Sequence, residues 1–392
     1  MPLIQALYVH LPFCHRICPF CAFAVHGNRP ALHTAYLGAL QQEIRLLGAA
    51  HSSAAYASSS QASSVQAIAS IYIGGGTPST LSLPLLARLF DTLRTAFAIA
   101  PDAQWSFELN PEDVSAAYLN GLHELGVSRL SLGLQSLDDG ALRALGRNNT
   151  AASGRTALDL LRDGPIDEYN VDLLLGAPGI PLSVFHADVE AMATRGPPHL
   201  SLYALDVEPG TLFARDAAIV AATAAARDAQ AEALLWAAGR LTAAGYRHYE
   251  VSNFCRPGHE GRQNLLVWDG ADYLGMGMGA HSHVNGERWW NERHLRAYQR
   301  TLAAGRLPIT ARERLTPVQQ VNEMMMLALR RAEGLDVLAW ESAGGVWDEH
   351  RQNLTRRLIA QGQARLEGTR LALTETGLLL ADGITEALML AG

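Results

Sequence analysis

Over its first two-thirds the chain alternates between short apolar runs and longer amphipathic or Ala-rich stretches. Runs rich in Val, Ile, Leu and Tyr at 4–9, 70–73, 104–109, 128–134, 168–175 and 199–205 predict strands. Segments at 32–48, 83–97, 113–125, 138–162, 182–194 and 221–244 predict the helices between them. Parallel neighbours need a long return connection, so this repetition predicts an α/β fold built on a parallel sheet. Six such units point to a β/α barrel or partial barrel of TIM type. A doubly wound open sheet would show the same periodicity.

The rest of the chain departs from that rhythm. Residues 49–67 form an Ala/Ser-rich insert, expected to be a flexible surface loop. From 246 to 295 the pattern turns irregular and aromatic, with Gly275, Gly277 and Gly279 closely spaced. Pro308 lies in an expected linker. Beyond it, residues 315–392 predict two helices, a third over 350–362 and a short hairpin, a winged-helix-like arrangement. The expected domains are 1–310 and 311–392.

Composition narrows the function. The 392 residues, 48% hydrophobic, allow a substantial buried core. A formal net charge of −7 argues against nucleic-acid or membrane-surface partners, which call for a basic face. All 31 basic residues are arginine, so neither a lysine Schiff base nor a Walker-type phosphate lysine is available. The chain shows no secretory leader and no long uncharged apolar run, so a cytoplasmic location without a membrane span is expected. Four cysteines, three of them within eight residues, do not make a disulfide framework and fit a reducing compartment.

Those three carry the strongest chemical signal. Cys14, Cys18 and Cys21 form a C-x3-C-x2-C run directly after the first predicted strand. Thiolates are soft ligands suited to iron–sulfur clusters or zinc. Three of them on one loop can grip three corners of a cubane and leave the fourth iron open for a chelating cofactor. Structural zinc normally takes four ligands, often as two separated pairs, and only the remote Cys255 is left to complete such a set.

Further polar residues fall at the ends of the predicted strands. Gly74, Gly75 and Gly76, followed by Thr77, form a strand-to-turn segment whose backbone amides can approach a charged ligand closely. Glu108 is a carboxylate in an apolar context and calls for a partner, such as an amine or ribose hydroxyls. Gln135, Arg147 and Asp172 follow or end later strands, and polar residues collected on one barrel rim make a binding site.

The motifs in order (YVHLPFCHRICPFCAF, YIGGGTPS, FELNPEDV, SLGLQS, LGRNN, NVDLLLGAPG, YEVSNF and YLGMGMGAHS) resemble the radical SAM superfamily. Within it the chain resembles the oxygen-independent coproporphyrinogen III oxidase family, and in that family its heme-chaperone branch. The likeness runs from Tyr8 nearly to the C-terminus. It implies a radical SAM barrel with a small C-terminal domain. It also implies a [4Fe–4S] cluster on Cys14, Cys18 and Cys21, and S-adenosylmethionine contacts from Tyr8, Phe20, Gly75, Gly76, Thr77, Glu108, Gln135, Arg147 and Asp172. Phe23 stands where the oxidases carry a fourth cysteine. That favours a chaperone that binds heme and passes it to acceptor proteins over a porphyrinogen-decarboxylating enzyme. Gln263 replaces the branch's histidine before Asn-x-x-x-Trp, and Asn149 falls where the family tends to place another histidine. Among the remaining histidines, His281 is the first to test as a heme ligand. Trp289 and Trp290 are candidates to stack on a flat ligand, with packing between elements as the stronger reading.

Overall fold

A computed structural model describes residues 4–57 and 67–390. Its strands are β1 (Ile4–Leu11), β2 (Ile68–Gly75), β3 (Ile99–Leu109), β4 (Arg129–Gln135), β5 (Tyr169–Leu175) and β6 (His199–Ala204). They continue as β7 (Arg247–Glu250), β8 (Asn253–Cys255), β9 (Asp272–Met276), β10 (His281–Val284), β11 (Glu287–Asn291) and β12 (Ile309–Arg314). All join one sheet in the order β12-β11-β10-β9-β1-β2-β3-β4-β5-β6-β8-β7. The stretch from β9 to β6 is parallel throughout, and both outer flanks are antiparallel.

The six expected parallel strands are present, and β9 adds a seventh beside β1, pairing Tyr8 with Gly275 and Val9 with Met276. Its segment reads as irregular because glycine is depleted in strands. Here glycine is required: a Cβ on Gly275 would lie 2.0 Å from the His281 carbonyl oxygen of the neighbouring strand. The sheet alternates strictly between its two faces. Ile71, Phe107, Leu132, Val171 and Leu200 are buried in one core with Leu40 and Ile44 of helix Pro30–Ala57 and Phe90 of helix Leu83–Ala96. The opposite set faces a cavity.

Several helices differ from expectation. The first runs on to Ala57, so the front of the Ala/Ser insert is helical, as a strong helix former such as alanine allows. The rest of that expected loop lies outside the described residues. The helix expected over 138–162 is two, Asp139–Ala144 and Ala151–Arg162. Gly146 (φ 67°) ends the first, and the Thr150 side chain caps the second by accepting from Ser153 N. The break leaves Arg147 on a turn. The helix expected over 221–244 is likewise split, at Ala226.

The expected linker around Pro308 leads into β12, which extends the main sheet as far as Arg314. A second core follows, centred on Met325, Leu329, Trp340, Leu358 and Leu371. Over it lies a small antiparallel sheet of β13 (Leu335–Asp336), β14 (Ala364–Glu367) and β15 (Arg370–Leu373), in the order β13-β15-β14. With helices Pro317–Ala328, Val337–Ser342 and Glu349–Ala360 this is a winged-helix-like unit. Among the described residues no helix is long and apolar enough to cross a membrane.

A buried carboxylate ties the first helix to the glycine-rich segment. Glu43 accepts from Gly277 N at 2.8 Å, Asn291 Nδ2 at 2.6 Å and Tyr298 OH at 2.6 Å. Burial pushes its carboxyl up to about 7. Glu43→Leu leaves the buried Gly277 N–H and Tyr298 hydroxyl without an acceptor and Asn291 Nδ2 with the Gly277 carbonyl alone, so it is expected to destabilise the fold by about 3–5 kcal/mol. Urea denaturation under argon reads this as a lowered midpoint, and an unchanged midpoint would contradict the assignment.

Candidate cofactor site

The site is built where the parallel strands end. β1 runs into the short strand Phe13–Cys14, which pairs in parallel with His26–Gly27 and so pins both ends of the intervening loop. Cys21 N donates to the Cys18 carbonyl at 3.1 Å, closing a turn that brings two thiols to one side. Cys14, Cys18 and Cys21 are free and line one cavity of about 460 Å³. Burial lifts the Cys14 thiol to about 11, so a thiolate there requires a cation beside it. Cys255 lies apart, fully buried at the end of β8, and so does not complete a four-thiol set.

The glycine turn after β2 clasps the cysteine loop. Gly76 N donates to the Leu11 carbonyl at 2.8 Å and Thr77 N to that of Phe13 at 2.7 Å. The approach is so close that a Cβ on Gly76 would sit 2.6 Å from the Pro12 carbonyl carbon, and one on Gly74 2.7 Å from the Glu108 carboxylate. Glu108, near the end of β3, accepts from Gly75 N at 3.0 Å and Tyr72 OH at 2.8 Å. Withdrawal from bulk water still lifts it to about 7. Asp172 on β5 accepts from Asn170 Nδ2 at 2.7 Å and is lifted to about 6 for the same reason. Two carboxylates held this way are suited to a cationic ligand.

Arg147 closes the circle. It donates to Asn110 Oδ1 at 2.8 Å, to the Gly133 carbonyl at 2.7 Å and to Cys18 Sγ at 3.7 Å. Gln135 ends β4 at φ 70°, a left-handed backbone uncommon outside glycine that turns the strand end at this rim. Phe20 packs on Phe213, ring centroids 6.3 Å apart, beneath a backbone bond from Phe213 N to the Pro19 carbonyl.

Cys14, Cys18, Cys21, Phe20, Gly75, Gly76, Thr77, Glu108, Gln135, Arg147 and Asp172 therefore all line one cavity. Tyr8 lies in register beside Tyr72 on the same face of the sheet, opposite the core residues Leu7 and Val9; the two rings stack with centroids 6.2 Å apart, and the Tyr8 hydroxyl bonds His10 Nδ1. The histidines flanking the cluster loop are engaged: His10 with the Ala24 carbonyl, His15 with Asp113 and His26 with the Gly27 carbonyl. His281 stacks on Trp290, and the Arg312 guanidinium covers Trp289, so the tryptophan pair packs between strands.

Sequence reasoning missed the deeper wall. Below the rim the same strand faces carry Gln104, Arg129, Ser131, Asn170, His199 and Ser201, all lining the cavity. Asn170 is their hub: it donates to Ser131 Oγ at 2.9 Å, and its Oδ1 bonds His199 Nδ1 at 2.7 Å and Ser201 at 3.1 Å. The signal was the strict alternation within 104–109, 129–135 and 169–175, where every second residue is polar or glycine for part of the run. A barrel filled by its own side chains would be apolar on both faces.

Residues 8–192 match the radical SAM superfamily, and residues 315–380 match the HemN C-terminal domain. The heme chaperone HemW of Mycobacterium tuberculosis is 34% identical over 384 residues, 98% of this chain and 94% of that relative. The chain belongs to the HemW family. The Bacillus subtilis HemW is 29% identical over 98% of this chain and 99% of its own length, and that of Escherichia coli 34% identical over 71% and 70%. Among solved structures, E. coli coproporphyrinogen III oxidase HemN, a radical SAM enzyme, superposes with a TM-score of 0.78 at 24% identity. That match covers 98% of this chain and 90% of HemN, and it shows a shared fold. In this HemW family member the cysteine loop, the glycine turn, Glu108, Arg147 and Asp172 all fall within the superfamily match.

Proposed function

We propose that this chain is a cytoplasmic heme chaperone of the radical SAM type, which binds heme and passes it to acceptor proteins. In this reading Cys14, Cys18 and Cys21 hold a [4Fe–4S] cluster, and Tyr8, Phe20, Gly75, Gly76, Thr77, Glu108, Gln135, Arg147 and Asp172 hold S-adenosylmethionine. One observation carries it: three free thiols share a cavity with a glycine turn and two carboxylates of raised pKa. A cluster gripped there supplies one-electron chemistry and an open iron. The protein's own groups orient the nucleotide: Glu108 and Asp172 face positive charge, the glycine backbone leaves room for close approach, and Arg147 neutralises thiolate charge at Cys18. The chaperone reading rests on the HemW relatives and on Phe23, 69% exposed at the oxidase's fourth-cysteine position.

Heme titration of the anaerobically reconstituted protein tests this reading: a saturable Soret shift supports it, and its absence with the cluster intact removes it. A second reading, a catalytic radical SAM enzyme, is favoured by the polar wall below the rim, which a passive carrier does not need. It requires 5′-deoxyadenosine and a changed substrate after anaerobic reduction with S-adenosylmethionine.

The cofactor end carries a pH signature. Glu108 sits at about 7, and only its ionised form attracts a cation. S-adenosylmethionine affinity is therefore expected to be constant well above pH 7 and to fall as Glu108 protonates below it, about tenfold per unit at the steepest. Glu108→Gln should remove the fall near pH 7 and leave the one near 6 that Asp172 contributes. Equilibrium dialysis between pH 5.5 and 8.5 measures the profile, and an equally steep fall near pH 7 in the variant would exclude Glu108 as the origin.

A further inference from the structure

The polar wall below the rim has one end that the cofactor reading does not use. Gln135 at the rim and Arg129 at the floor are the two ends of β4. Six residues at a rise near 3.3 Å place them about 20 Å apart. The floor is formed by Arg129, Gln104 and Gln263, all lining the same cavity as the cysteines.

Each of the three presents an unengaged hydrogen-bonding end. Arg129 is 5% exposed; its Nη1 donates to Glu168 Oε2 at 3.3 Å and to the His259 carbonyl at 3.2 Å. Among the described residues no hydrogen bond from its Nη2 is found. Gln104 Oε1 is taken by the backbone N–H of Arg262 at 3.0 Å, and among the described residues no hydrogen bond from its Nε2 is found. Gln263 is 8% exposed, its Oε1 is buried without a donor, and among the described residues no hydrogen bond from its Nε2 is found either, so Nε2 is the end that can donate to a ligand. A buried amide left unpaired beside a cavity costs stability unless something fills the space.

The charges around the floor favour an anion. Glu168 is the one carboxylate engaging Arg129, and it is shared with His259, whose Nδ1 lies 2.7 Å from Glu168 Oε1. The other carboxylates of the wall, Glu108 and Asp172, lie toward the rim. One cavity thus has an acidic end for a cation and a guanidinium-plus-amide end for an anion.

We propose that Arg129, Gln104 and Gln263 form a carboxylate-binding site at the floor of the cavity, separate from the cofactor end. The Arg129 Nη2 and the Nε2 groups of Gln104 and Gln263 are donors that can surround the oxygens of a single carboxylate. The carboxylate is supplied either by a small free acid or by the acidic side chain of a tetrapyrrole. Only the second source rests on the heme-binding reading.

The test uses the full chain, reconstituted under argon, as wild type, Gln263→Leu and Gln263→Glu. Gln263→Glu keeps the side-chain size and sets a repelling charge at the site. Propionate is titrated by calorimetry, while heme and heme dimethyl ester are titrated by Soret absorbance. A free small acid is supported by saturable propionate binding, weakened at least tenfold in Gln263→Glu and less in Gln263→Leu, with heme and ester alike. A tetrapyrrole side chain is supported when heme binds at least tenfold more tightly than its ester and Gln263→Glu removes the difference. The proposal is overturned if, with unchanged circular dichroism, Gln263→Glu alters neither propionate nor heme binding, or if wild type binds no propionate and does not distinguish heme from its ester. Loss of all heme binding would overturn the chaperone reading while the propionate titration still reports on the site.

Discussion

Cys18→Ala is expected to lower iron after anaerobic reconstitution from roughly four per chain to less than about a tenth of that, with loss of the brown absorbance. Cys18 is half-buried on the loop and lines the cavity, so the fold loses little when its thiol is removed. A cluster held as proposed would lose one of three grips, and two thiolates would not hold a cubane whose fourth iron has no protein ligand. Arg147 also loses its sulfur contact while keeping Asn110 and Gly133, so the surrounding wall should stay in place. Iron and sulfide assays with circular dichroism on the same sample separate cluster loss from unfolding. Retention of wild-type iron would remove Cys18 from the ligand set.

Gly75→Ala is expected to destabilise the protein by about 4 kcal/mol or more. Two effects act together. Gly75 has φ 108°, where any other residue is strained, and its Cβ would stand 2.2 Å from His10 Nδ1. The ring cannot move aside easily, because His10 is held between Tyr8 OH and the Ala24 carbonyl. Gly27→Ala is the control: it lies beside the same loop, carries no positive φ and meets nothing within 4 Å. It should stay within about 1 kcal/mol of wild type. Equal midpoints for the two variants in urea would show that the glycine turn tolerates side chains.

Much of the site was legible because its chemistry is local. Three thiols within eight residues share a loop whatever fold surrounds them, and Gly74, Gly75 and Gly76 announce a close backbone approach before its partners are known. Glu108, Arg147 and Asp172 were legible through their motifs. Tyr8 entered through family resemblance alone, and its stacking beside Tyr72 comes from the pairing of β1 with β2. The helix boundaries near 145 and 226 were not legible, because hydrophobic periodicity passes through a glycine turn or a single kink without changing phase. The strand Asp272–Met276 escaped notice because glycine, needed there for contact with the next strand, has no strand propensity of its own.

The chain alone determined the alternation of strand and helix, the thiol triad and the absence of lysine chemistry, since each is a property of neighbouring residues. Tertiary structure decided which face of each strand looks inward. That choice brings Gln104, Arg129 and Gln263, up to 159 positions apart in the chain, into one cavity wall. Strand alternation says only that two faces differ; the pairing of β9 beside β1 and the covering helices determine which face lines the cavity.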